Sequence, residues 1–260
     1  MIKCSFPNKA LCCRNKNSLF ELEVLTSELE YFSLEECFVG FIPIPVRKDN
    51  FLLQEKRFFF HKWTSFPLDF MGLKEWRLAW SIKLFFLTDK CSKLTPDNKC
   101  SIYGNRPLLC RGFPLLTTVP EVVADPLHFC RKCGKVEITE PDKYLKRLEK
   151  LYIPRLKQHR KVFESLTQEF VREFPVLGES LIEIIEAVQT MPHEDYQIPI
   201  NLGMNALFCS VLFGVKGLKV QAEVLKKLIE KYRTLNPADV EPMAEMLRGY
   251  EETIKALKEG

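Results

Sequence analysis

Eight of the ten cysteines in this 260-residue chain fall in three groups before residue 134, and that crowding constrains the fold more than any other feature. A cysteine that merely fills a core behaves as a small hydrophobe and needs no cysteine neighbours in sequence. The first group is Cys4, Cys12 and Cys13; the second is Cys91, Cys100 and Cys110; the third is Cys130 and Cys133. The opening Met1–Cys4 lacks the charged start, long apolar stretch and small-residue cleavage site of a secretory leader, so a cytoplasmic chain is expected. Stable disulfides are rare in that reducing compartment, and clustered thiols there bind metal or carry out redox work. A secreted disulfide scaffold would be shorter and would carry its cysteines along the whole chain.

At this length the chain can bury one substantial core or two small ones. Its 46% hydrophobic and 28% charged residues are those of a globular protein. A net charge of +4, from 38 basic and 34 acidic residues, is too mild to argue for nucleic acid or an anionic membrane as partner. The most apolar window, residues 202–215, is interrupted by Asn205 and Ser210 and falls short of the roughly 18 residues a membrane span needs. It reads as a buried helix.

Along the chain, residues 19–32 suggest a first helix with a start near Thr26 and Ser27. The apolar runs 41–46 and 51–60, separated by the polar break 47–50, read as a hairpin. Trp76, Leu78, Trp80, Ile82, Leu84 and Phe86 recur at every second position, which predicts a strand that delivers the chain to Cys91. From Pro141 the pattern becomes helical. Tyr144, Leu145, Leu148, Leu151 and Tyr152 mark a helix that Pro154 should kink or end. Leu181, Ile182, Ile185 and Val188 mark another, and Val220, Val224, Leu225, Leu228, Ile229 and Tyr232 a third. A last one carries Met243, Leu247, Tyr250, Ile254 and Leu257. The expected fold is α+β: a cysteine-rich metal-binding module over residues 1–140 with a small antiparallel β insertion, followed by a helical C-terminal region over residues 141–260. The amphipathic faces should pack on each other and on the module, and they are also where a protein partner would dock.

The chemistry lies in the second cysteine group. Thiolates are soft donors that suit zinc or an iron–sulfur cluster, and four of them satisfy either. Residues 95–99 form a turn sequence able to bring Cys91 and Cys100 together, and Ser101–Tyr103 reads as a short extended piece. Asn105-Arg106-Pro107 resembles a helix start, which would seat Cys110 in a first turn where partial positive charge favours the thiolate. Arg106 and Arg111 are candidates to donate hydrogen bonds to the sulfurs, and Tyr103 and Phe113 to wall the site. Cys37 and Cys209 sit in apolar surroundings and read as buried hydrophobes. Of the four histidines, only His128 lies beside a cysteine group and counts as a spare ligand.

The string of Cys91, Leu94, Lys99-Cys100, Ile102-Tyr103, Arg106-Pro107, Cys110-Arg111 and Phe113-Pro114 resembles the signature of the YkgJ-like cysteine-cluster proteins, a zinc- or iron-chelating CxxCxxCC domain. The resemblance covers residues 1–135. It implies that Cys12 and Cys13 end the N-terminal cysteine group and that Cys130 is the downstream ligand. The spaced cysteines that precede the Cys-Cys pair in the family are reduced here to Cys4, and Cys133 stands as a replacement donor. The metal set is therefore Cys4, Cys12, Cys13, Cys91, Cys100, Cys110, Cys130 and Cys133, holding zinc or an iron–sulfur cluster. The surplus of donors favours the cluster, or two metals.

The expected function is metal binding with no catalytic residue assigned. The alternative, implied by relatives of the cluster domain, is an S-adenosylmethionine-dependent protein lysine N-methylase resembling the flagellin methylases. No glycine-rich strand-to-helix loop of a Rossmann methyltransferase accompanies it. Redox chemistry at Cys130 and Cys133 lacks the strand and helix context of a thioredoxin-like motif.

Overall fold

A computed structural model describes residues 2–4, 11–14, 19–50, 53, 59–113, 115–116, 136–138, 140–190 and 202–259. The architecture is α+β. Strands β1 (Ile2–Cys4), β2 (Glu21–Val24) and β3 (Cys37–Arg47) precede helix α1 (Phe59–Thr64). Then follow β4 (Phe66–Leu68), β5 (Leu73–Phe86), helix α2 (Leu108–Gly112) and β6 (Val136–Ile138). The C-terminal part is helical: α3 (Pro141–Glu173), α4 (Pro175–Thr190), α5 (Leu202–Leu235) and α6 (Val240–Glu259). A four-stranded antiparallel sheet runs in the order β2-β5-β3, with β4 also on β5, and β1 pairs with β6. No helix among the described residues is long and apolar enough to cross a membrane.

The alternation at residues 76–86 produces β5, the centre of the sheet. Trp80, Ile82 and Leu84 are buried on one face, and Ala79, Ser81 and Phe85 are buried on the other. Trp80 meets Phe163 of α3 and Phe208 of α5, while Phe38 of β3, whose cross-strand partner is Phe85, meets Tyr250 of α6. Helices thus reach both faces near β3. One core cluster takes residues from β2, β3 and β5 together with α3 to α6, so the apolar interior runs across residue 140.

Several local expectations change. Residues 21–24 are strand, with Leu22 and Val24 buried between Glu21 and Glu23, because Glu21 pairs with Lys83 and Glu23 accepts from Ser81 across the β2–β5 ladder. The helical part of that region is a 3-10 segment over Thr26–Tyr31. Among the described residues, β3 pairs along its full length with β5, from Cys37 opposite Phe86 to Arg47 opposite Trp76, and Phe59 begins α1; residues 51, 52 and 54–58 of the expected hairpin lie outside the described residues. A fourteen-residue strand with long alternation offers β3 more burial than the short run after residue 50. Pro154 lies inside α3, which continues to Glu173. It is exposed, as is Lys150, whose carbonyl loses its helical donor and can turn to water instead.

Candidate metal centre

The three segments that carry Cys12, Cys13, Cys91 and Cys100 are tied by backbone bonds. Leu11–Cys13 forms one 3-10 turn, and the N–H of Cys91 donates to the carbonyl of Cys13 at 3.0 Å. Arg14 bridges to Lys90 through the backbone, and its guanidinium donates to Asn98 Oδ1 at 2.8 Å. The turn expected between Cys91 and Cys100 is present. Leu94 and Cys100 form an antiparallel bridge, Thr95 N–H bonds the carbonyl of Lys99 at 2.8 Å, and Asn98 takes the left-handed backbone at φ 61° that asparagine tolerates.

Beyond Cys100 the chain turns instead of extending. Residues 101–102 are turn and Tyr103–Asn105 a 3-10 segment. Helix α2 then starts with Pro107 at the cap position and no side-chain cap bond, so Asn105 is not the cap. Cys110 does lie in the first turn. A second apolar cluster supports this helix: Leu108 and Leu116 pack with Leu25, with Phe59 and Phe60 of α1, and with Leu145, Leu148, Tyr152 and Leu156 of α3.

These elements bring Cys12, Cys13, Cys91, Cys100 and Cys110 to one cavity of about 400 Å³, beside the β2 strand and away from the β3 edge. The same cavity is lined by Glu23 and Lys83 of the sheet, by His61 of α1, by Arg106, and by aromatic residues that include Phe32, Phe60 and Phe113. Cys91 is buried, Cys13, Cys100 and Cys110 are half-buried, and Cys12 is exposed. The Cys12 and Cys13 sulfurs stand 3.9 Å apart. Among the described residues, no three His, Cys, Asp or Glu side chains stand in an arrangement that would hold a metal ion. The five sulfurs share a cavity; they do not form a finished coordination shell.

The thiols titrate apart. The Cys12 thiol is pulled down to about 7, first by its hydrogen bond with Cys13 and further by the Arg106 charge, while the same bond and burial push Cys13 up. Burial also raises Cys91, and it raises Cys110 together with the nearby Cys91 and Cys12 thiols. In the metal-free chain, burial works against the thiolate expected at Cys110 from a helix terminus: one turn of helix carries little dipole, and desolvation opposes it. A bound cation would reverse this order by stabilising the deprotonated sulfurs.

The arginines behave differently from expectation. Arg106 donates to the carbonyl of Tyr103 at 3.2 Å and stacks 4.0 Å from its ring centre, and Arg111 donates to the carbonyls of Arg106 and Gly104. Their described bonds shape the loop and are not aimed at sulfur. Phe113 lines the cavity, whereas Tyr103 is 47% exposed and packs under Arg106. Cys37 and Cys209 are buried as expected, with thiols raised by burial to about 12. Cys4 lies in β1 opposite Val136 of β6, three positions after Cys133 in sequence. Cys130, Cys133 and His128 lie outside the described residues.

Sequence reasoning missed His61 and Glu28. His61 is a cavity-lining imidazole held neutral by burial, which lowers it to about 4; its run of aromatic neighbours signalled a core position, not a site. Glu28 is fully buried, and its carboxylate accepts from the N–H of Leu25 at 2.9 Å and of Leu108 at 2.8 Å. Its bond to the Leu25 N–H is the reciprocal half of a capping box, but with Leu25 and not Ser or Thr at the cap position the sequence carries no such signature. Searches against protein-family models, curated proteins and solved structures find no match for this chain.

Proposed function

We propose that the chain is a metal-binding protein that holds zinc or an iron–sulfur cluster through Cys12, Cys13, Cys91, Cys100 and Cys110. Cys130 completes the set, and Cys4 and Cys133 are auxiliary donors. The observation that carries this reading is the convergence of five cysteines, separated by up to 98 positions in the chain (110 − 12), on one cavity. Packing alone does not require sulfur from four chain segments to meet, whereas a soft metal does. The resemblance of residues 91–114 to the YkgJ-like cysteine-cluster proteins points the same way.

The residues present fit such a centre in chemistry. Against the raised thiols of Cys13, Cys91 and Cys110, that of Cys12 is lowered to about 7, so Cys12 is a natural ligand, and a metal would take the place of the proton it shares with Cys13. Arg106 supplies positive charge near Cys12 and Cys110 that offsets the excess negative charge of several thiolates. Such a site works in a reducing setting, and we place the protein in the cytoplasm on that ground.

Anaerobic purification followed by metal and labile-sulfide analysis and a visible spectrum tests the reading. Stoichiometric zinc in a colourless protein selects zinc; brown colour with iron and sulfide selects the cluster. Loss of the metal on replacing Cys91, Cys100 and Cys110 together by serine, with retention on replacing Cys37 and Cys209, is the expected pattern. A wild-type protein that takes up neither zinc nor iron under reducing conditions overturns it.

A further inference from the structure

Helix α2 spans only five residues, Leu108–Gly112. A single turn has no stability of its own, because nucleation fixes several residues for one hydrogen bond. The position of the Cys110 sulfur must therefore be imposed from outside the helix. Three contacts do so. At the N-terminal end, the N–H of Leu108 has no partner within the helix, and the fully buried carboxylate of Glu28 accepts from it at 2.8 Å through one oxygen. The other Glu28 oxygen is anchored on the N–H of Leu25, so the carboxylate is held at both oxygens. At the C-terminal end, the hydroxyl of Tyr144 on α3 donates to the carbonyl of Arg111 at 2.7 Å. Just before the helix, Tyr152 of α3 donates to the carbonyl of Arg106 at 3.3 Å. Gly112 completes the fit, since a Cβ there would run into the Leu116 side chain.

Resting on the metal reading above, we propose that Glu28 and Tyr144 are positioning residues of the thiolate centre: they clamp the two ends of the one-turn helix and so fix Cys110 against the Cys91 and Cys12–Cys13 segments. Neither side chain lines the cavity, so neither is a ligand. They act on the metal through the backbone of α2, as outer partners of a metal site orient its ligands. Residue 28 must offer two acceptor oxygens, because both groups it meets are N–H donors. Glutamine keeps the shape but must point an NH₂ group at one of them.

The test compares full-length wild type, Glu28→Gln, Tyr144→Phe and Thr167→Val, purified anaerobically as they load in the cell. Thr167 bonds Trp80 in the main core, away from the cavity, and its variant controls for stability lost elsewhere. Three quantities are read: the thiolate-to-metal absorption band, the rate of metal loss to a chelator, and the alkylation rate of Cys110 in the metal-free protein by peptide mass spectrometry. The expected result is metal loss about ten- to a hundredfold faster in Glu28→Gln with a shifted band. A smaller change in the same direction is expected in Tyr144→Phe, and no change in Thr167→Val. Cys110 should alkylate several-fold faster in both clamp variants. Wild-type metal release and wild-type alkylation in the clamp variants overturn the proposal and leave the metal reading standing. If Glu28→Gln fails to fold, Tyr144→Phe decides, being the loss of one hydroxyl. If the wild type carries no metal, the metal reading fails and with it the role at a metal centre; the alkylation rates then report only whether the clamp holds the helix.

Discussion

His159 shows how one buried side chain joins three elements. Its Nδ1 accepts from the N–H of Thr26 at 3.1 Å, so its proton sits on Nε2, which donates to the carbonyl of Trp80 at 2.8 Å. The ring is fully buried, and burial lowers it to about 4 despite the Trp80 bond. The folded state therefore holds it neutral, while the unfolded chain takes up a proton near 6.5. Its contribution is present above pH 6.5 and is lost as pH falls from 6.5 toward 4, on the order of 3 kcal/mol in total. Urea melts of wild type and His159→Gln across that window check this: glutamine can present an acceptor and a donor without titrating, so its stability should fall less on acidification. The difference between the two proteins isolates His159 from His61 and Glu28, which titrate in both. Trp80 has its own buried bond, from Nε1–H to Thr167 at 3.0 Å, and Thr167→Val should cost about 1–3 kcal/mol in the same melts by stranding the indole N–H.

At the scale of elements, β3 is an edge strand that the chain blunts in two ways. The N–H groups of Val39 and Phe41 point away from β5 and are capped by Gln221 at 2.6 Å and by Asn205 at 3.0 Å, both on α5. By the same alternation, the next two outward positions are Pro43 and Pro45, which have no N–H to expose. Gln221 also donates to the carbonyls of Leu34 and Cys37. Removing it as Gln221→Ala should cost on the order of 3 kcal/mol and Asn205→Ala about 1–3 kcal/mol, measured by chemical denaturation. The two caps further dictate the shape of α5. Sixteen residues of straight helix (221 − 205) span about 24 Å, whereas two residues of strand span about 7 Å. The helix must therefore fold back between them, and it breaks at Gly214, with φ 67° and ψ −179°. That backbone is open almost only to glycine, although a Cβ would meet no neighbour there. Gly214→Ala should lower stability by about 1–3 kcal/mol through conformation alone, and a thermal shift equal to wild type would refute it.

Across the whole molecule, the sheet divides two duties. Its β3 side is sealed by α5 and carries the large aromatic core of Trp80, Phe41, Phe163 and Phe208. Its β2 side opens on the cysteine cavity. Because the main core takes side chains from both sides of residue 140, a chain cut there should lose the cover over β3 and β5. We expect the 1–140 fragment to show no cooperative unfolding transition and to aggregate, as checked by circular dichroism and light scattering. Metal removal should act more locally. Amide exchange should quicken over residues 91–113, where the bonds are turn bonds and most residues are at least partly exposed, while amides at Leu78–Ile82 keep their protection.

The sequence by itself determined the long central strand, the helical C-terminal region, the turn between Cys91 and Cys100, and the burial of Cys37 and Cys209. Each is written in a local period or a short turn motif, and the chemistry of the nearest neighbours suffices to read it. The strand at residues 21–24 and the partner of β3 were decided by tertiary structure, because a four-residue alternation is too short to identify and a hairpin competes with any longer strand elsewhere. The burial of the Cys110 thiol, which raises it in the metal-free chain, also came from tertiary packing. Likewise, nothing near Cys110 in the chain reveals that a glutamate eighty positions before Leu108 and a tyrosine thirty-three positions after Arg111 bond the two ends of its helix. Local sequence can place a cysteine on a turn; only packing brings cysteines from distant segments to one cavity.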